Sequence, residues 1–167
     1  MTEAFLGLGS NLGDRLENLQ RATDLLASRA GIRGLASSRV YETEPVGPPQ
    51  PDYLNAVVRL DTTLTASELL EACLSVEAEM GRVRSERWGP RVIDVDLLSY
   101  DREELDEPGL QIPHPMMHER AFVLVPLLEL ADEPHLPGGR AAKELRLSPG
   151  MLEGVRLFAP PLRTGPS

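Results

Sequence analysis

The stretch VIDVDLLSY (residues 92–100) decides the fold. Its aliphatic and β-branched residues follow Gly89-Pro90 and read as a strand. Within it Asp94 and Asp96 stand two apart. Residues two apart on a strand point to the same side, their Cα atoms roughly 6.5 Å apart from a rise of about 3.3 Å per residue. Asp94 and Asp96 are therefore expected on one face, with Val95 and Leu97 packing on the other.

Upstream, GRVRSERWGPR (81–91) sets Arg82, Arg84, Arg87 and Arg91 within ten residues, with Glu86 the only acid from 81 to 93. Before it, Thr65 and Glu68 have capping-box spacing, and Leu69, Cys73, Val76 and Met80 share one helical face. Gly81 stands where a helix C-terminus favours glycine. NAVVRLDTT (55–63) alternates as a strand, TEPVGPPQPDYLN (43–55) is a proline-rich loop, and IRGLASSRVYET (32–43) is a strand with a bulge near Ser37. Asp14 and Glu17 open a helix running to about Ser28, and AFLGLG (4–9) is the first strand. VIDVDLLSY is thus the fourth strand of the order β-α-β-β-α-β. That order predicts an α+β fold with a ferredoxin-like core: an antiparallel sheet, helices packed on it and a C-terminal extension.

Downstream, HERAFVLVPLLELA (118–131) is expected to be helical in part, broken or restarted at Pro126. RAAKELRL (140–147) reads as a short helix. The whole is one domain over residues 1–158, with a disordered tail over 159–167.

Composition narrows the class. The chain has 167 residues, 41% of them hydrophobic, enough for one domain with a core. Its net charge of -9 disfavours general nucleic-acid binding. The lone Cys73 excludes a disulfide framework and fits a reducing compartment. No apolar run reaches membrane-span length. The expectation is a cytoplasmic monomer that contacts neither nucleic acid nor membrane.

Two half-buried carboxylates side by side repel unless one is protonated or a cation lies between them. Oxygen ligands on a rigid strand suit Mg²⁺, which completes its shell with water and phosphate oxygens. A solvated face of an edge strand is the alternative. The adjacent arginines favour a polyphosphate, since guanidinium groups neutralise what the metal does not. Trp88, the only tryptophan, is either a core residue or part of a loop that closes over ligand.

GLGSNLG (7–13) lacks the third glycine of a dinucleotide fingerprint, because position 12 is Leu12. A phosphate loop with lysine is absent too, Lys143 being the only lysine. Tyr53 and Asn55 face the same way and together suit a flat heterocycle, one stacking and one pairing with its edge. The bland alternative is a strand residue beside a turn-forming asparagine. His114, between prolines, is either a phosphate-facing donor or structural. With His118 it offers no zinc site, because Pro115 interrupts the helix and a third ligand is missing.

Four segments together, FLGLGSNLGDR (5–15), PDYLN (51–55), GRVRSERWGPRVIDVDLL (81–98) and IPHPMMHERAFVLVPL (112–127), resemble the 6-hydroxymethyl-7,8-dihydropterin pyrophosphokinase family of folate biosynthesis. The resemblance implies transfer of diphosphate from ATP to the pterin's hydroxymethyl group, with AMP released and two Mg²⁺ ions used. It implies that Asp94 and Asp96 hold both ions and that Arg82 and Arg91 contact the phosphates and support transfer. Arg84, Arg87 and Trp88 belong by resemblance to a closing loop that reaches ATP, with Trp88 also against the pterin. Glu77 and Leu97 would lie on the nucleotide side, and His114 and Arg120 near the phosphates. Tyr53, Asn55 and Phe122 would hold the pterin, with backbone groups of Thr43, Glu44 and Val46 on its edge and Gly9 and Ser10 lining the site. The chain differs from some relatives in carrying Gly109, Gln111 and Pro115 around His114. A metal-dependent nucleotide hydrolase and a non-catalytic binding module are the rival readings.

Overall fold

The alternation of apolar residues in β1 (Thr2–Ser10) makes it a central strand buried on both faces for most of its length. A computed structural model describes residues 1–45, 49–81, 92–131, 133–139, 152 and 154–164. α1 (Arg15–Ala27) follows, with the Asp14 carboxylate accepting from the Glu17 amide at 3.2 Å. β2 (Ile32–Ser37), β3 (Val40–Thr43) and β4 (Tyr53–Thr62) come next, then α2 (Ala66–Glu79) and β5 (Asp94–Tyr100). A hairpin of β6 (Leu105–Glu107) and β7 (Leu110–Ile112), helix α3 (Ala121–Leu130) and strand β8 (Val155–Ala159) complete the described elements.

Six strands form one antiparallel sheet in the order β5-β1-β4-β3-β8, with β2 also paired to β4. The single strand expected over 32–43 is two, broken at Ser38. There the Ser38 amide donates to the Val57 carbonyl at 2.9 Å, and the Ser38 hydroxyl accepts from the Val57 amide at 2.9 Å. One side chain so replaces a ladder bond at the break, which keeps buried backbone groups paired. The register shift in β2 falls between Arg33 and Ala36, slightly ahead of the expected bulge.

Strand alternation divides the core. One face carries Leu6, Leu8, Leu54, Val58, Val95 and Leu97, which pack against Leu19, Ala22 and Leu26 of α1 and Leu69, Cys73 and Val76 of α2. The other face carries Phe5, Val57 and Leu98 against Val123, Leu124 and Leu127 of α3. Each fully buried leucine contributes about 1.5–3 kcal/mol. α2 starts with both halves of a capping box: the Thr65 amide donates to Glu68 Oε1 at 2.9 Å and the Glu68 amide to Thr65 Oγ1 at 3.1 Å.

Three expectations need correction. α3 runs unbroken through Pro126, which is itself buried. Packing of a largely apolar helix against β4 outweighs the one backbone bond that proline cannot make. Strand β8 was not expected at all. Of the stretch expected to be a loose tail, residues 159–164 are described and lie against the domain: Leu162 is buried and its amide donates to Ser37 Oγ at 3.1 Å. The helix expected over 140–147 lies outside the described residues. Among those residues no helix is long and apolar enough to cross a membrane.

Candidate active site

Cross-strand register builds the site as a row. Tyr41 of β3 faces Asn55 of β4, Asn55 faces Gly9 of β1, and Gly9 faces Asp94 of β5. Gly7 faces Asp96 two residues along. With a period of two, these residues share the sheet face that α3 covers only in part. Asp94 and Asp96 therefore do lie on one face, the first half-buried and the second exposed, while Val95 and Leu97 are buried on the other. The floor is low at Gly9 for a steric reason: a Cβ there would sit 2.9 Å from Asn55 Oδ1.

The resulting cleft has a volume of about 1100 Å³, at the upper end of small-molecule sites and roomy enough for two ligands. Gly9, Thr43, Glu44, Tyr53 and Asn55 line it, as do Glu77, Asp94, Asp96, His114, Arg120 and Phe122. Leu97 contributes to its wall, though its side chain belongs to the core packed against α2. Ser10 is a correction: it is fully buried, and its hydroxyl accepts from Asn18 Nδ2 of α1 at 3.2 Å, on the sheet's helix side. Strand alternation requires this once Gly9 faces the cleft.

At one end Asn55 is buried and its amide nitrogen donates to Thr43 Oγ1 at 2.5 Å, which fixes the side chain's orientation. Tyr53 and Phe122 supply half-buried rings, and the Arg120 guanidinium lies 5.6 Å from the Phe122 ring centroid. Together they offer stacking surface beside a fixed polar edge.

At the other end Glu77 of α2 is buried, and its Oε2 accepts from the Val95 amide at 2.9 Å. α2 thereby braces β5 at the residue between the two aspartates. His114 is held by its own amide donating to the Leu98 carbonyl at 2.8 Å. Its Nδ1 accepts from the Met116 amide at 3.3 Å, which leaves Nε2 to carry the proton. Burial, and then the positive charge of Arg120, push the imidazole down from 6.5 to about 4, so it is neutral near pH 7. Burial first, then the charges of Glu77 and Asp96, push the Cys73 thiol up to about 12. A thiol at that value supplies no nucleophile.

Val46, Arg82, Arg84, Arg87, Trp88 and Arg91 lie outside the described residues. Among the described residues no group of three or more His, Cys, Asp or Glu could hold a metal ion. Asp94 and Asp96 offer hard oxygen donors from one face, which fits Mg²⁺ bound by two carboxylates with the rest of its shell from water and phosphate. Sequence reasoning missed Leu70, Leu74 and Met116, which also line the cleft. Leu70 and Leu74 form a second stripe, four apart, beside the buried face of α2, and that spacing was a usable signal.

Comparison with known proteins shows the family of the chain. The profile of the family described as 7,8-dihydro-6-hydroxymethylpterin-pyrophosphokinase (HPPK) matches residues 5–132. The chain is similar to the 2-amino-4-hydroxy-6-hydroxymethyldihydropteridine pyrophosphokinase of Methylorubrum extorquens, 49% identical over 158 residues that cover 93% of this chain and 99% of the relative. The protein of the same name from Pseudomonas aeruginosa is 43% identical over 152 residues, covering 90% and 93%. Among solved structures, wild-type Plasmodium falciparum HPPK-DHPS with pterin and p-hydroxybenzoate matches with a TM-score of 0.63 at 16% identity, covering 86% of this chain and 41% of that one. An HPPK-DHPS in complex with substrates matches with a TM-score of 0.64 at 12% identity, covering 86% and 42%. This chain spans less than half of those solved chains, and at such identity the likeness concerns fold alone.

Proposed function

The chain belongs to the 7,8-dihydro-6-hydroxymethylpterin-pyrophosphokinase family, and from that premise we propose that its cleft transfers diphosphate from ATP to the hydroxymethyl group of 6-hydroxymethyl-7,8-dihydropterin. It is a pyrophosphokinase of folate biosynthesis. The observation that carries the assignment to this cleft is the row Asn55, Gly9, Asp94, which sets a fixed amide and two aromatic rings a few strands from a carboxylate pair.

Tyr53 and Phe122 sandwich the flat pterin, and Asn55, oriented by Thr43, pairs with its polar edge. Backbone groups of Thr43, Glu44 and Val46 complete that edge. Asp94 and Asp96 would hold Mg²⁺, two ions in this reading, and the metal would supply neutralisation of phosphate charge there. Glu77 keeps Asp94 and Asp96 in register through Val95, and Leu97 lines the nucleotide side. His114, neutral and protonated on Nε2, and Arg120 donate to phosphate oxygens. Arg82 and Arg91 stabilise the charge on the group in transfer, while Arg84, Arg87 and Trp88 exclude water.

The pterin hydroxyl oxygen forms a bond to the β-phosphorus. The bond from that phosphorus to the α–β bridging oxygen breaks, AMP leaves with the bridging oxygen, and the hydroxyl proton is released. Positioning and charge neutralisation supply the acceleration, and no strong general base is required. The strand order, with a helix in each crossover, supports reading the core as ferredoxin-like within one domain. The acidic surface and lone cysteine support a cytoplasmic monomer without nucleic-acid or membrane partners.

The test is to incubate the chain with Mg-ATP, with and without the pterin, and to assay AMP. AMP should appear only with pterin, in equal amount to the pterin diphosphate. AMP or ADP formed equally well without pterin would identify a hydrolase instead.

A further inference from the structure

Strand β8 lies beyond the residues that the family profile matches, which end at 132. It nonetheless reaches the neck of the proline-rich loop. One nitrogen of Arg156, Nη2, donates to Glu42 Oε1 at 3.0 Å and to Asp52 Oδ2 at 3.0 Å. From the start of α1, Nη1 of Arg15 donates to Glu42 Oε2 at 2.9 Å and to the Asp52 carbonyl at 3.0 Å. Two guanidinium groups thus join the two sides of the loop where it leaves β3 and enters β4.

The next residues inward are the ones that matter to the cleft. Glu42 precedes Thr43, and Asp52 precedes Tyr53; Thr43 and Tyr53 face each other as the last pair of the β3–β4 ladder. The residue just before β8 adds a backbone tie, the Glu44 amide donating to the Gly154 carbonyl at 3.3 Å. Hydrogen bonds from Arg156, then from Arg15, hold the Glu42 carboxyl below its usual range, so it stays charged at neutral pH.

We infer that Arg156 is a positioning residue for the pterin end of the cleft, clamping the loop neck through Glu42 and Asp52. The inference rests on the reading of Thr43, Tyr53 and Asn55 as the pterin's neighbours. A single exposed ion pair adds little stability, and the Arg156 side chain is 47% exposed. What the clamp does is order the loop ends before ligand arrives, which lowers the entropy lost on binding. The effect belongs to pterin affinity and not to ATP affinity, because the nucleotide end is held by α2, β5 and β7.

Steady-state kinetics of Arg156→Ala separate the alternatives. The KM for pterin should rise about threefold to tenfold, with kcat and the KM for ATP nearly unchanged, the pattern of lost ground-state binding. Arg156→Lys should recover part of the loss, since its single charge can engage one carboxylate. In an Asp52→Asn background the effect of Arg156→Ala should shrink. A parallel rise in both KM values with a lower Tm would make Arg156 a merely structural residue, and an unchanged ratio of the two would also overturn the inference. If the unaltered chain turns over no pterin, the functional reading fails first and this inference with it.

Discussion

Asp96 is exposed while its neighbours on both sides are buried, so truncating its side chain opens no cavity in the core. Asp96→Ala should abolish AMP formation and weaken Mg-ATP binding with the melting temperature nearly intact. Retained turnover, measured with pterin at saturation, would remove Asp96 from metal binding. His114 behaves oppositely, because its protonation is tied to folding. Its folded pKa of about 4 lies below its ordinary 6.5. Between those values the unfolded chain binds a proton that the folded chain refuses, so stability falls as pH drops from about 6.5 to about 4. His114→Gln removes that dependence. The stability advantage of the unaltered chain over His114→Gln should therefore narrow from pH 7 to pH 4.5, and urea melts at both values check it. A constant advantage would mean that His114 titrates alike in both states.

Elements were legible in the sequence where the signal is local. The starts of α1 and α2 were visible because capping is decided within four residues: Asp14 with Glu17, and Thr65 with Glu68. The shared face of Asp94 and Asp96 followed from strand periodicity alone. Ser10 was misplaced although the same periodicity, applied from Gly9, excludes it. Pro126 was misread because burial, a property of the packed molecule, outweighed a local rule. The role of Glu77 in bracing β5 was also hidden, since it joins a helix to a strand 18 residues away. That contact predicts an ordered pair of variants. Glu77→Leu leaves the amide of the buried Val95 unpaired and should cost about 1–3 kcal/mol, whereas Glu77→Gln keeps an acceptor and should cost less. Equal losses in chemical denaturation would show that the acceptor is not what Glu77 contributes.

At the scale of the whole molecule, the last described residues are where sequence reasoning stopped short. APPLRTGPS carries the composition of a loose end, and its only apolar anchor is a single leucine between proline and arginine. Pairing of β8 with β3 spans more than a hundred residues of chain, and no local pattern announces a contact of that range. Leu162 nonetheless enters the core shared by α1 and α2, being 6% exposed. The Gln20 side chain of α1 locks it there: its Nε2 donates to the Arg163 carbonyl at 2.8 Å and its Oε1 accepts from the Arg163 amide at 2.9 Å. Leu162→Ala should accordingly destabilise the domain by about 2–3 kcal/mol, the lower part of the range for a buried leucine, because a segment outside the helices and strands can relax around the lost volume. Thermal and urea unfolding would both register it, and pterin affinity should weaken as well, since β8 hangs from the same anchor. A variant as stable as the unaltered chain would show that residues 160–164 contribute nothing to the core and that the clamp at Arg156 stands without them.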